Sequence, residues 1–146
     1  MLVEKFNLKR IFISDFTVIE MPANHVVKKS EIAGFDLSEA VYPPGLRQPL
    51  HRHEAASLSF VAAGSYTENF GNKIRKCQPL TLILHPAQES HAVDFHDRVR
   101  ILNVQLDSLY LGRSKEISRL LEIPFAGRSE TIAALSNRLL REFRQP

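Results

Sequence analysis

GLRQPLHRHEAASLSFVAAG, residues 45–64, decides how this chain is read. Alternate side chains of a strand point to opposite faces. That parity sets His51, His53, Ser57 and Ser59 on one face and Leu58 and Phe60 on the other. A second stretch, HPAQESH at 85–91, adds His91. Two histidines two apart, entering a run of strand formers, predict a small β-barrel with an interior mouth lined by these residues.

Outward from this stretch the chain reads as short strands separated by turn signals. Residues 10–19 are rich in β-branched and aromatic side chains, which suit a pleated, half-buried surface, and residues 21–25 break that run. Lone His25 reads as a surface loop residue. A strand is expected over 35–42, stopped by Pro43-Pro44-Gly45, which cannot continue a ladder. Pro49 holds the chain extended before His51. Further strands are expected over 58–63, 65–70, 73–78, 81–84, 93–95 and 99–106. Gly71-Asn72 reads as a hairpin turn because both residues tolerate positive φ. Short strands at regular spacing argue for a closed or sandwiched antiparallel sheet.

The period changes after Asp107. Ile117, Leu120 and Leu121 recur at helical spacing, and Pro124 ends that segment. Ser129 is placed to cap a last helix in which Ile132, Leu135, Leu139 and Phe143 form an apolar stripe. Such a stripe packs on its own domain or serves as a dimer contact. The organisation expected is a barrel over 1–108 and a helical segment over 109–146.

The chain has 146 residues, 44% hydrophobic and 24% charged, which suits one globular domain. No apolar run has the length of a membrane span, and the N-terminus lacks the apolar segment of a signal peptide, so a cytoplasmic address is expected. Cys77 is the single cysteine, which excludes an internal disulfide. Arg75 and Lys76 beside it favour a thiolate in principle, but nothing else marks a reactive thiol, and a structural cysteine is the expectation. The net charge of +3 is uneven. Residues 1–111 hold 12 basic and 12 acidic side chains, residues 112–146 hold 7 and 4. A solvated helix face explains that surplus better than nucleic-acid binding, since the charges are dispersed and no stacking aromatics accompany them.

Three neutral imidazoles on one point can hold a divalent metal and leave positions open for water or ligand. His51 and His53 leave one strand together, and barrel closure can bring His91 across to them. The spacing Gly45, His51, His53, Gly64 resembles the first motif of the cupin superfamily, G-x5-H-x-H-x3-E-x6-G. Pro86-Ala87-Gln88-Glu89-Ser90-His91 resembles the second, P-x-G-x2-H. The resemblance implies a mainly β fold, a cupin-like double-stranded β-helix or jelly-roll barrel followed by C-terminal α-helices. The chain departs from the pattern in three places: Ser57 stands at the glutamate ligand's position, Gln88 at the glycine and Phe95 at the asparagine. A hydroxyl is a weak ligand beside a carboxylate. Glu54 has the wrong parity to replace it without a bulge, and Glu89 sits on a turn from which it could reach inward.

A narrower resemblance covers roughly residues 35–145. HRHEAASLSFVAAGSYTENFG, CQPLTLILHPAQESHAVDF, ILNVQLD and SETIAALSNRLLREFRQP resemble the N-terminal sensor region of AraC-type transcriptional regulators. It implies a ligand-sensing and dimerisation domain that binds a small-molecule effector, with DNA contacted only through a helix-turn-helix unit that does not follow Pro146 here. On that reading His51, His53, Ser57, Tyr66 and His91 line the ligand pocket. Ile132, Leu135, Leu139 and Phe143 carry a homodimer contact. Arg141 and Arg144 are then linker residues. No catalysis, required cofactor or membrane is then expected. The alternative is a stand-alone metal-dependent cupin enzyme, an oxygenase or isomerase, with Zn²⁺ or Ni²⁺ on His51, His53 and His91 and with Glu89 as a further ligand or acid–base group. The sensor reading ranks first, because the family's glutamate is lost and the last helix is regulator-like.

Overall fold

The computed structural model describes residues 9–13, 17–21 and 25–146. Two six-stranded antiparallel sheets face each other. The first runs β2 (Thr17–Met21), β1 (Lys9–Ile13), β5 (Arg47–Arg52), β10 (Ser90–Phe95), β7 (Tyr66–Phe70), β8 (Lys73–Cys77). The second runs β12 (Phe125–Gly127), β9 (Leu82–His85), β6 (Ser57–Ala63), β11 (Val99–Gln105), β4 (Phe35–Tyr42), β3 (Val26–Ile32). From β4 to β11 the chain crosses from one sheet to the other at every connection except the β7–β8 hairpin, as in a jelly roll.

The stretch at 45–64 is not one continuous strand. It forms β5 in the first sheet, bends over residues 53–56, and enters the second sheet as β6. Parity still holds inside β6. Val61 packs in the interior core with Tyr66, Cys77, Ile83, Val93, Phe95, Val99 and Ile101, whereas Phe60 faces outward. Gly64 closes the stretch at φ +75°, where an added Cβ would lie 2.2 Å from the Arg98 carbonyl oxygen, so only glycine fits.

Residues 10–19 form two strands rather than the expected one, paired from Lys9↔Met21 to Ile13↔Thr17. The polar Ser14-Asp15 pair interrupts the apolar run there, and residues 14–16 lie outside the described residues, as do 22–24 of the expected break. His25 is half-buried, its ring 5.5 Å from that of Tyr42. Strands β3 and β12 were not expected, since VVKKSEI and FAG carry too little apolar alternation to stand out.

The outer face of the second sheet holds a second core. Leu140 and Phe143 of α3 (Glu130–Arg144) pack there on Leu37, Phe60 and Leu102. Full burial of such a side chain stabilises by roughly 1.5–3 kcal/mol. Ser129 caps the helix, its hydroxyl accepting from the Ile132 amide at 3.0 Å. Arg144 and Arg100 (2.7 Å) both pair with buried Glu39 of β4, fixing the helix end. The expected stripe thus divides: Phe143 is buried in its own chain, while Leu135 and Leu139 are 63% and 40% exposed. The short helices α1 (Ser108–Leu111) and α2 (Lys115–Leu120) precede β12. Among the described residues, no helix is long and apolar enough to cross a membrane.

Candidate metal centre

The antiparallel pairing of β5 with β10 sets His51 directly opposite His91. Such cross-strand partners share a face. Their ring centroids are 4.4 Å apart. His53, just past the end of β5, adds a third ring 5.0 Å from His51 and 5.4 Å from His91. One ligand atom from each lies within 4.8 Å of the others. A bulge between His91 and Val93 reseats β10 against β5 beside the cluster.

The hydrogen bonds fix what these rings can offer. His51 Nδ1 lies 2.7 Å from the Pro49 carbonyl oxygen, which can only accept. Nδ1 therefore carries the hydrogen, and Nε2 presents its lone pair. Pro49 thus does more than extend the chain. His91 is 4% exposed, and its Nδ1 has no hydrogen-bond partner among the described residues. Burial away from water, then the neighbouring His85 and His51, push its pKa down to about 3. It stays neutral at any ordinary pH, the form that binds metals.

Beneath the three rings a polar link joins the two sheets. Glu68 of β7 is 2% exposed, with Oε1 2.8 Å from His85 Nε2 and Oε2 2.6 Å from Arg75 Nη2. Burial raises the Glu68 pKa, but the His85 and Arg75 contacts outweigh it and hold the carboxyl at about 2. As a carboxylate it accepts from both neighbours. The His85 ring stacks on His91 with centroids 4.6 Å apart. Glu68, His85 and His91 form a second group of donors within 4.8 Å of one another.

Of the residues singled out in the sequence, His51, His53 and His91 come together. Ser57 stands opposite His85 across the β6–β9 ladder and so faces the same interior. Ser59 donates to Asn103 Oδ1 at 2.7 Å. Tyr66 lies lower, 2% exposed in the apolar core. Glu89 belongs to neither donor group; its Oε1 is buried without a hydrogen-bond partner, and burial raises its carboxyl pKa. Glu54 is exposed. Cys77 is fully buried, and burial first, then the Glu68 charge, push its thiol up to about 12, so it is an inert core residue. Glu68 and His85 were missed. Glu68 shares strand parity with Tyr66, and His85 with Ile83, so alternation alone places both inside.

No family model matches the chain, and no curated protein matches it. Solved structures do. A cupin superfamily protein from Desulfitobacterium hafniense DCB-2 aligns with a TM-score of 0.52 at 18% identity, over 62% of this chain and 84% of that one. The DMSP lyase DddQ from Ruegeria pomeroyi DSS-3 aligns at 0.47 and 27% identity, over 51% and 39%. The Bacillus subtilis oxalate decarboxylase aligns at 0.47 and 19%, over 55% and 23%. The match to DddQ thus spans well under half of that enzyme, and the activities named are those proteins' own. The expectation of a non-catalytic chain is corrected by the site itself: among the described residues two donor groups are of the kind that hold a metal. None of the matches named is a transcription regulator. At this likeness what carries over is the architecture: the chain is a cupin-like jelly-roll barrel followed by C-terminal helices.

Proposed function

We propose that this chain is a metal-dependent enzyme that holds one divalent ion, Zn²⁺ or Ni²⁺, on His51, His53 and His91. The observation that carries the reading is the convergence of three imidazoles inside the barrel with His91 Nδ1 buried and partnerless. An orphaned buried acceptor or donor costs about 1–3 kcal/mol, which a ligand removes. Zinc and nickel suit imidazole nitrogen. Such an ion, when bound, supplies Lewis-acid polarisation of a substrate oxygen.

This chain's own residues prepare that site. The Pro49 carbonyl fixes the His51 tautomer. Stacked His85, held by Glu68, limits the tilt of the His91 ring. Val93, Phe95 and Tyr66 belong to the interior apolar core, and His53, half-buried where His51 and His91 are buried, marks the open side. Ser57 contributes no charge, so three protein donors leave coordination positions free, the pattern of catalytic rather than structural sites.

The test is Co²⁺ substitution of tag-free protein followed by azide. A visible absorption band that shifts on adding azide is expected from an open position. A spectrum indifferent to azide means a closed, structural ion and refutes the catalytic reading, and no cobalt band at all refutes the metal centre.

A further inference from the structure

We propose that Glu68, His85 and His91 form a second position for a divalent cation, suited to oxygen-preferring ions such as Mn²⁺ and sharing His91 with the three-histidine position. Three strands from both sheets bring these donors within 4.8 Å of one another, and their exposures are 2%, 6% and 4%. A buried polar network held only for structure would satisfy its members. This one leaves His91 Nδ1 buried without a hydrogen-bond partner. A cation held by Glu68 and His85 gives the buried His91 ring the partner it lacks.

The local chemistry admits it. Arg75 holds Glu68 at Oε2, which leaves Oε1 turned toward His85 at 2.8 Å. A cation there replaces the Nε2 hydrogen of that contact, and the ring carries its hydrogen on Nδ1 instead. Carboxylate oxygen favours Mn²⁺, whereas three imidazoles favour Zn²⁺ and Ni²⁺. Both positions draw on His91, so one ion is held per chain and its hardness selects the place. The second position does not depend on the catalytic reading: it needs only its own donors.

Crystals of the full chain grown with MnCl2, and separately with NiCl2, read the positions directly by anomalous scattering. Manganese is expected beside Glu68 and His85, nickel between His51 and His53. Manganese at the three histidines, or no manganese peak, overturns the proposal. In equilibrium dialysis Glu68→Gln is expected to weaken Mn²⁺ binding at least tenfold and leave Ni²⁺ unchanged, and His53→Gln to do the reverse. Mn²⁺ binding that survives Glu68→Gln overturns the second position. Ni²⁺ binding that survives His53→Gln overturns the three-histidine reading instead. If Glu68→Gln does not fold, His85→Gln carries the same expectation, and the wild-type maps decide alone.

Discussion

Replacing His91 with leucine separates a histidine kept for stability from one kept to bind. In metal-free wild-type protein His91 costs stability, because its Nδ1 is buried without a partner. Leucine removes that penalty at similar volume, so His91→Leu is expected to stabilise the metal-free chain by about 1 kcal/mol at pH 7.5. The effect grows in acid. Burial first, then His85 and His51, lower the folded pKa from 6.5 to about 3. Protonation therefore favours the unfolded state, and the stability present above pH 6.5 is lost progressively as pH falls toward 3. At pH 5 the wild type forfeits about 1.5 pH units of 1.36 kcal/mol each, or about 2 kcal/mol that the variant keeps. Urea denaturation in EDTA at both pH values measures the difference. With Ni²⁺ at a hundredfold excess over its dissociation constant the order reverses at pH 7.5, since bound ion adds about 2.7 kcal/mol to the wild type alone. A variant less stable than wild type in EDTA at both pH values, or equally stabilised by Ni²⁺, refutes the reasoning.

Glu68→Ala leaves Arg75 and His85 facing a void and is expected to cost about 3 kcal/mol, lowering the melting temperature by roughly 10 °C in a chain of this size; an unchanged melting curve contradicts the buried link between the sheets. Gln88 and Leu80 both hold φ +66°, so Gln88→Gly and Leu80→Gly are each expected to stabilise by up to about 1 kcal/mol in urea titrations, and a loss of that size shows that their side chains contribute more than the backbone strain costs. Gly64→Ala drives its Cβ onto the Arg98 carbonyl and is expected to yield insoluble protein or a chain weaker by about 3 kcal/mol or more; a soluble variant of wild-type stability removes the argument for glycine there.

Much of the barrel was legible because its signals are local. Residues 35–42 match β4, the Gly71 turn lies where Gly-Asn put it, and Ser129 caps α3. Alternation within β6 correctly divides Ser59 and Val61 from Phe60. The break at 53–56 was not legible, because nothing in HEAA forbids a strand and only sheet closure demands the bend. The centre was half-read. His51, His53 and His91 stand in a spaced pattern that invites attention, whereas strand alternation places Glu68 and His85 inside without saying what they meet there. Their roles arise from pairing across two sheets, to which linear spacing is blind. The α3 stripe misled in the same way: Leu140, outside the 3–4 pattern chosen, is buried, and Leu139 is not. Arg144, one turn beyond Leu140 on the same face, bonds Glu39. Of the four residues expected to carry a homodimer contact, Leu135 and Leu139 are exposed, Ile132 is half-buried and Phe143 is buried in its own chain.

Calorimetric titration of Ni²⁺ into tag-free, EDTA-treated protein tests the three-histidine centre most directly. One ion per chain is expected, with binding weakened at least tenfold by His51→Gln and by His53→Gln while both variants keep the wild-type fold. A chain that takes up no Ni²⁺, or that binds it equally well without His51 and His53, contradicts the account.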